Sequence, residues 1–326
     1  MFLYIVKRIL HSIPILLGAN IITFCLFFMV NSPDDVARMH LGNKHTSAEM
    51  ITQWKQNHGY NHPMFWDKSQ LGLKKISNTL LYRKTFDLFN FDFGKSNDNR
   101  MIATEIKTRM WPSLAIAIPT LIIGLSVNIL MAIFLMVFRY SMVEAAGLAL
   151  CIVLMSISGL FYIIGGQYLL AVSAKLGPIS GYLPGTSAVR FVAIPVIIGV
   201  VSGMGVGCRW YHSLMQEEWH KEYVKAATAR GASSWHVLSK HILPNAMVPI
   251  VTSVVAIIPL LFMGSLLMES FFAIPGLGSY TIDAIAKQDF EIVRVMVFLG
   301  AVFYIIGLIL TDVVYTLVDP RIRFKK

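Results

Sequence analysis

Long runs of apolar residues that contain no charge decide what this chain can fold into. A helix that crosses a bilayer needs roughly 18 to 20 such residues, and runs near this length recur along the 326 residues. Over the whole chain 56% of the residues are hydrophobic and only 14% are charged, which is too apolar for an ordinary soluble domain. The sequence therefore predicts an all-α transmembrane protein with several spans.

Six spans are expected, with a polar insert between the first two. The predicted spans cover residues 9–30, 111–138, 145–174, 191–208, 246–267 and 295–311. The first run starts like a signal peptide, but it is long and lacks a small-x-small cleavage site, so it is expected to remain as a span.

The spans divide the chain into three parts. Residues 1–30 are an N-terminal segment with the first span, residues 31–110 are a small extracytoplasmic insert, and residues 111–326 are a five-span core with a cytoplasmic loop at 214–246. In the insert, Thr46 and Glu49 have the spacing of a capping box, which predicts the start of a helix.

Lysine and arginine are distributed unevenly between the two sets of short loops. The net charge of +10 forms no single stripe, so nucleic acid is not expected as a partner. The richer set, which cytoplasmic loops carry by the positive-inside rule, comprises Lys7, Arg8, Arg139, Arg209, Lys221, Lys225, Arg230, Lys240, Arg321, Arg323, Lys325 and Lys326. The poorer set comprises Lys175, Arg190, Lys287 and Arg294. Both termini are therefore expected in the cytoplasm and the insert outside.

The sequence contains only fragments of known catalytic motifs. The stretch FGKS ends like a phosphate-binding loop, but Phe89 stands where the first glycine belongs. The DFG at 92–94 lacks the other kinase elements, and no H-E-x-x-H is present. Cys25, Cys151 and Cys208 have no metal-ligand spacing. No catalytic residue, metal or cofactor bound by this chain is expected.

Polar residues inside the predicted spans are candidates for a translocation path. Asn20, Asn128 and Gln167 lie deepest, and hydrogen bonding between helices is the alternative role, which we favour. Glu269 lies near a span end, where it is expected to reach water. An ion-driven carrier would more often place a carboxylate at the centre of a span, and none is found there.

The stretch EYVKAATARGASSWHVLSKHILPNA at 222–246 is more elaborate than a connection between two spans requires. Good helix formers lead to Gly231, a natural left-handed stop. Ser233 or Ser234 can then cap a second short helix, which Pro244 is expected to close. The result is a predicted pair of helices on the cytoplasmic face.

Small side chains distinguish the first of these helices. Ala226, Ala227 and Ala229 keep one side slim, so the helix can enter a groove on a partner protein. The alternative is an amphipathic helix that rests on lipid with help from Lys221, Lys225 and Lys240. The groove is favoured because alanines supply little apolar area for insertion.

The same stretch resembles the EAA loop of permease subunits in binding-protein-dependent ABC importers. The loop's pattern is E-A-A-x3-G-x9-I-x-L-P, in which Lys225 replaces the glutamate and His241 the isoleucine, similar to the peptide-importer branch. The matching positions are Ala226, Ala227, Gly231, Leu243 and Pro244. The positions that fit the peptide variant are Tyr223, Val224, Ala227, Gly231, His241, Leu243, Asn245 and Ala246.

Further stretches carry the resemblance along nearly the whole chain. They are IVKRILHSIPILLGANIITF, LGNKHTSAEMITQWKQNHGYNHP, FDFGKS and MESFFAIPGLGSYTIDAIAKQDF. Together they look most like the first permease subunit of the dipeptide, oligopeptide, nickel and opine importers. Two stretches depart from the pattern: LGPISGYLPGT matches only in part, and SISGLFYIIGG stands where relatives commonly carry Ser-x-Pro.

The resemblance implies a six-span type I permease of the bacterial inner membrane. Implied partners are a second homologous permease, two cytoplasmic ATPases that carry ATP and Mg, an extracytoplasmic binding protein and a peptide substrate. Implied ATPase-docking residues are Glu222, Tyr223, Lys225, Ala226, Ala227, Gly231, His241, Leu243 and Pro244. Implied residues of an outer turn or gate are Glu269, Pro275, Gly276 and Gly278.

Two other functions compete with a permease subunit. A self-sufficient secondary carrier would often show inverted repeats and half-helices broken at mid-membrane, and no convincing repeat is found. An intramembrane enzyme would need a nucleophile–base pair or a metal set, whereas His11 is the only histidine in a predicted span. The cargo stays open among dipeptides, longer or antimicrobial peptides, nickel chelates and opines.

Overall fold

The computed structural model describes residues 2–41, 47–57, 59–67 and 74–318. Within these ranges every regular element is helical, and the extended structure is limited to one bridge between Lys95 and Met101. The all-α prediction is therefore confirmed. Thr46 of the predicted capping box, and the predicted cytoplasmic cluster from Arg321 to Lys326, lie outside the described residues.

The α-helices are numbered here in chain order. They are α1 Phe2–Val30, α2 Pro33–Leu41, α3 Ala48–Asn57, α4 Lys74–Ser77, α5 Leu80–Phe89, α6 Ile102–Val137, α7 Met142–Ser156, α8 Gly159–Gly166, α9 Ala188–Trp219, α10 Glu222–Ala229, α11 Ser234–Val237, α12 Leu243–Ile257, α13 Leu266–Phe271, α14 Leu277–Ala286 and α15 Phe290–Val318. Two π segments, Gln167–Ser173 and Leu238–Ile242, and two 3-10 segments, Gly185–Ser187 and Ile258–Met263, complete the described helical structure.

Five of the described helical stretches are long and apolar enough to cross a membrane. They are Lys7–Met29, Ile102–Val137, Gly185–Trp219, Ser234–Phe271 and Phe290–Val314. A sixth candidate is the pair Met142–Ser156 and Gly159–Ser173, which is bent by 89°. Six predicted runs thus correspond to five single candidates and one bent pair.

The bent pair corrects the expectation of one continuous third span at 145–174. Ile157 and Ser158 have extended backbone angles, with ψ values of 128° and 141°, so the helical ladder stops between α7 and α8. Ser158 occupies the cap position before α8, as serine often does. The break falls in the stretch SISG, which contains no proline.

The first compact unit comprises residues 1–108 and 281–305. Its apolar core joins Phe24, Phe28, Tyr60, Leu80 and Phe290, so the insert has a hydrophobic core in common with α1 and the start of α15. This packing gives the described residues of the insert a fixed structure within their unit.

A cluster of charges lies in the same unit. The Glu291 carboxylate receives hydrogen bonds from Lys84 Nζ at 2.6 Å, Arg294 Nη2 at 2.8 Å and the Tyr60 hydroxyl at 2.9 Å. Lys84 and Arg294 have side chains only 20% and 3% exposed. Burial and, to a smaller extent, the charge of Glu291 raise the pKa of Tyr60 well above its usual value. The Tyr60 hydroxyl therefore stays a hydrogen-bond donor.

The second unit comprises residues 109–280 and 306–326. One of its cores joins Ile116, Ile163, Ile194, Phe272 and Ile274. A second core surrounds the 222–246 stretch and joins Met215, Val224, Val237, Leu238 and Ile242. Both cores are built from side chains of several helices, so they position the turns between those helices.

Candidate functional site

The 222–246 stretch begins with a shorter helix than expected. Residues 214–219 belong to the end of α9, and the chain turns at His220 and Lys221 before α10 starts at Glu222. The good helix formers of EEWHKEYVKAATAR indicate one helix that ends at Gly231, whereas the structure divides this stretch between two helices. Lys221 has extended backbone angles, φ −73° and ψ 150°, which separate the two helices.

Gly231 ends α10 as the sequence predicts. Its φ is +87°, in the left-handed region that favours glycine. The Gly231 N–H donates to the Thr228 carbonyl at 2.9 Å and the Ala232 N–H donates to the Ala227 carbonyl at 3.3 Å. These two bonds form the Schellman pattern, which satisfies carbonyls at a helix C-terminus.

Ser233 starts the second helix, which also agrees with the prediction. Its hydroxyl accepts a hydrogen bond from the His236 N–H at 3.3 Å. Pro244, however, does not close this helix: α11 continues through the π segment Leu238–Ile242 directly into α12. Proline lacks an N–H and its ring crowds the carbonyl four residues earlier, and the wider π turns lie just before Pro244.

One side of α10 is anchored in the protein. Val224 is 1% exposed, and Ala227 packs against the same core. Val237, Leu238 and Ile242 of the following segment are buried in that core as well. Because the anchors come from both parts, the two helices are held together as one structure.

The opposite side of α10 is open. Glu222, Lys225, Ala226 and Ala229 are all exposed, and their spacing of three, four and seven residues places them on one helical face. We call this set the alanine face. It is slim and bordered by charge, as a surface that enters a groove requires. In the next helix Trp235 is 61% exposed, a large aromatic side chain that the sequence analysis did not single out.

Hydrogen bonds order the border of this site. The Tyr223 hydroxyl donates to Glu218, which also pairs with Lys221. Asn245 Nδ2 donates to the Tyr223 oxygen at 3.2 Å and to the His241 carbonyl at 2.7 Å. Burial and, to a smaller extent, the hydrogen bond to Glu218 raise the pKa of Tyr223 to about 12. Tyr223 therefore stays protonated near neutral pH.

The remaining predicted docking residues lie close to this border. The rings of Tyr223 and His241 are 6.5 Å apart, and the side chain of His241 is partly buried. Leu243 packs against the anchoring core, whereas Pro244 is exposed. The structure therefore brings all nine predicted docking residues into one region of the second unit, on both sides of the Gly231 turn.

Glu269 occupies a second, fully buried site in the same unit. It is 0% exposed, which contradicts the expectation that it reaches water. Its Oε1 accepts a hydrogen bond from the Ser265 N–H at 3.1 Å, and its Oε2 accepts one from the Ser279 N–H at 3.0 Å. Sequence position alone could not show this, because the turn after α13 folds back over the carboxylate.

Glycines make room for this carboxylate. A Cβ added at Gly264 would lie 2.1 Å from Glu269 Oε1, and one added at Gly276 would lie 2.3 Å from Oε2 and 2.5 Å from Ser113 Oγ. A Cβ at Gly278 would lie 2.6 Å from the Ser265 backbone. We call Glu269, Ser265, Ser279 and the glycines at 264, 276 and 278 the carboxylate cradle.

A tight turn lies beside the cradle, where the family resemblance implies an outer turn or gate. The Gly276 N–H donates to the Ile274 carbonyl at 2.8 Å, and Ala273 has a φ of +49°. Pro275 is exposed on this turn, whereas Gly276 and Gly278 are buried. Its position on the outer side of a membrane stays a prediction.

Two of the three path candidates make hydrogen bonds inside their own units. Asn20 Nδ2 donates to Thr85 Oγ1 at 2.6 Å in the first unit. Gln167 Nε2 donates to the carbonyls of Ile179 at 2.9 Å and Phe271 at 3.1 Å in the second unit. These bonds give both side chains a structural function, and their assignment to a translocation path stays a prediction.

Asn128 is buried at 7% exposure in the second unit. A Cβ added at Gly207 would lie 2.3 Å from its Nδ2, so α6 and α9 approach closely at this point. Its role in a translocation path likewise stays a prediction. Among the described residues, no three His, Cys, Asp or Glu side chains come together as metal ligands.

Comparison with known proteins identifies the family. Residues 117–324 match the family described as binding-protein-dependent transport system inner membrane component. The chain belongs to this family. Residues 1–110 match the N-terminal part that accompanies it in such membrane components, so the permease resemblance is confirmed along nearly the whole chain.

Relatives of this permease carry names from peptide, oligopeptide and glutathione transport. A Brucella abortus protein whose name assigns it provisionally to a peptide transport system as a permease is 29% identical over 98% of both chains. The oligopeptide transport system permease protein AppB of Bacillus subtilis is 26% identical over 98% of this chain and 99% of its own. The glutathione transport system permease protein GsiC of Salmonella paratyphi A is 27% identical over 99% of both.

The family match identifies the kind of protein that this chain is. It is a permease component of a binding-protein-dependent transport system of the inner membrane, with five apolar helices and one bent pair able to span it. Its family consists of transport components and not of enzymes.

Proposed function

We propose that this permease is the membrane-spanning subunit of an ATP-driven peptide importer. A second, homologous permease completes the translocation path with it, and two cytoplasmic ATPases bind and hydrolyse ATP with Mg. An extracytoplasmic binding protein delivers the peptide. The peptide-transport names of two full-length relatives support the choice of cargo.

The alanine face is the observation on which the docking of the ATPases depends. Val224, Val237 and Ile242 fix the helix pair to the protein from one side. The opposite side offers exposed alanines and charges, with Trp235 exposed in the next helix. Aromatic side chains are frequent anchors of protein interfaces. When ATP binding moves the ATPases, a docked and anchored helix pair transmits the movement to α9 and α12, with which it is continuous or in contact.

Cross-linking tests this docking. Ala226→Cys, in a chain whose native cysteines at 25, 151 and 208 are replaced, should form a cross-link to a cytoplasmic ATPase in membranes of the native host. Leu150→Cys, on α7 and 53% exposed, is the matched control and should form none. Cross-links only to lipid, or equal cross-linking from both positions, would contradict the docking proposal.

Transport separates an importer from a self-sufficient carrier. The tagged permease should co-purify with a second permease and the ATPases, and the reconstituted complex should accumulate peptide only with ATP. Uptake by this chain alone in vesicles without ATP would instead establish the carrier.

A further inference from the structure

The last turn of α9 makes contacts in two directions. Glu218 pairs with Lys221 and accepts a hydrogen bond from the Tyr223 hydroxyl, so it faces the start of α10. Trp219, the last residue of α9, lies against Arg139 instead. The Arg139 Cζ atom is 3.1 Å from the centre of the Trp219 ring, as in a cation–π contact. One helical turn therefore connects the helix pair to the turn between α6 and α7.

A second contact connects the same two parts of the chain. His212 Nε2 lies 3.0 Å from Glu144 Oε1, and these side chains are only 3% and 13% exposed, so salt and water screen the contact little. His212 and Trp219 are seven residues apart, which places them on one face of α9 and roughly 10 Å apart along its axis. Two contacts at this separation fix both the position and the tilt of the end of α9.

The turn between α6 and α7 has an unusual backbone conformation. Tyr140 has a φ of +60°, in the left-handed region that a tyrosine rarely adopts. Its N–H donates to Glu144 Oε2 at 2.5 Å, and the Ser141 hydroxyl caps α7 by accepting from the Val143 and Glu144 N–H groups. Strained backbone persists only where the surrounding contacts determine it, and it is frequent in segments that switch. The Glu144 carboxylate links this strained turn to α9.

Apolar packing alone does not orient the end of α9. Trp219 borders the core that anchors α10, and α6 contributes Ala132 and Met136 to the same core. Among the described residues, α7 contributes no side chain to it. Hydrophobic contacts are non-directional, so packed helices can slide by small amounts. The contacts of Arg139 and Glu144 have a defined geometry and oppose such sliding.

We propose that Arg139 and Trp219 are positioning residues of the importer. They hold the end of α9 against the turn between α6 and α7, so that movement of the docked helix pair reaches the spans. They act through Glu218 and Tyr223, which border the alanine face, and not by contact with peptide or nucleotide. Without the contact, the helix pair tilts while the spans stay in place, and ATP is hydrolysed without uptake. The inference rests on the proposed function.

The amount of peptide taken up per ATP hydrolysed tests this role. In the reconstituted importer, Arg139→Met and Trp219→Leu should each lower this ratio for alanyl-leucyl-alanine by about threefold or more, since each removes the contact and keeps an apolar side chain. Trp219→Tyr should retain most of the ratio, because a tyrosine ring also attracts a guanidinium. Arg209→Met is the matched control. Arg209 is exposed on α9, where it bonds to Met155 Sδ at 3.7 Å, so its loss should leave the ratio unchanged.

A double variant separates positioning from a general structural role. Arg139→Met combined with Trp219→Leu should lower the ratio no further than either change alone, because both remove the same contact. An unchanged ratio in the Arg139→Met importer, losses that multiply in the double variant, or equal falls in uptake and ATP hydrolysis would overturn the inference while leaving the importer intact. Absence of ATP-dependent peptide uptake by the unmodified complex would overturn the proposed function and this inference with it.

Discussion

At the scale of single residues, Glu269 shows how backbone N–H groups can satisfy a buried carboxyl group. Its two oxygens accept hydrogen bonds from the Ser265 and Ser279 N–H groups, which come from opposite sides of the turn. Because Glu269 is fully buried, its oxygens depend on hydrogen bonds from the protein. The glycines at 264 and 276 give the backbone the close approach that these bonds require.

The first prediction concerns the space around this carboxylate. Gly276→Ala places a Cβ about 2.3 Å from Glu269 Oε2, and overpacking of this kind costs about 1 to 3 kcal/mol. Thermal unfolding of the purified permease in detergent should show a lower midpoint. Gly165→Ala in α8 is the control, because a Cβ there meets no atom within 4 Å; equal midpoints for the two variants would contradict the cradle.

The second prediction concerns the charged cluster of the first unit. Glu291→Gln leaves Lys84 and Arg294 without their common carboxylate, and removal of one partner of a buried pair costs about 3 to 5 kcal/mol. Tyr60→Phe removes one donor and should cost less, about 1.5 to 3 kcal/mol. Denaturant unfolding in detergent measures both changes.

An exposed ion pair of the same unit serves as the control for this cluster. Asp34, which is 54% exposed, pairs with Lys55, and Asp34→Asn should change the unfolding free energy by about 0 to 1 kcal/mol. Because the pKa of Tyr60 is raised, its contribution is complete below the unfolded pKa near 10 and is lost only as pH rises through the folded value. The difference between wild type and Tyr60→Phe should therefore stay constant from neutral to mildly alkaline pH.

At the scale of elements, the turn at Gly231 decides the geometry of the helix pair. Gly231→Val forces a branched side chain into the left-handed region, at a cost of roughly 1 to 2 kcal/mol, and should uncouple ATP hydrolysis from peptide uptake. Gly231→Asn should retain coupling, because asparagine tolerates this conformation and a Cβ at this position meets no atom within 4 Å. The ratio of peptide taken up to ATP hydrolysed, measured in proteoliposomes, checks both.

These two variants also distinguish two reasons for a glycine at position 231: its backbone conformation and the close approach of a partner. If asparagine uncouples the importer as strongly as valine, the ATPase approaches this backbone so closely that no side chain fits. Normal coupling in the valine variant would remove the Gly231 turn from the docking proposal altogether.

Local signals and tertiary contacts contribute differently to what the sequence can predict. The Gly231 stop and the Ser233 cap follow from backbone conformation and from a side chain three residues away, so both could be predicted. Pro244 could not be placed correctly, because the residues before it, Leu238 and Ile242, pack in a core with Met215, and local sequence does not show such a tertiary contact. The burial of Glu269 depends on a turn that folds back from Ser279, and no periodicity indicates such a return.

The third span also has a structural feature that the sequence did not predict. Its apolar composition correctly located a candidate span, because hydropathy adds up over many residues. The 89° bend between α7 and α8 depends on two residues in extended conformation, which a hydropathy average does not detect. Runs of apolar residues therefore predict where membrane helices lie better than where they break.

At the scale of the whole molecule, the distribution of basic residues predicts which parts face the cytoplasm. The parts of the chain that carry Arg139, Arg209, Lys221 and Lys225 would lie inside, with both termini. The insert is long, and long loops cross the membrane largely regardless of their charge. The alanine face would then be available to cytoplasmic ATPases and the insert to a binding protein.

Labelling of single cysteines tests this orientation. In a background without the native cysteines, Asp98→Cys in the insert and Thr228→Cys in α10 are both at exposed positions. A membrane-impermeant maleimide should label Asp98→Cys in intact spheroplasts, because the reagent reaches only the outer surface of the membrane. It should label Thr228→Cys only after the membrane is opened. The reverse pattern would place the helix pair outside the cell, where no nucleotide-driven partner can act on it, and would remove both the topology and the docking of ATPases.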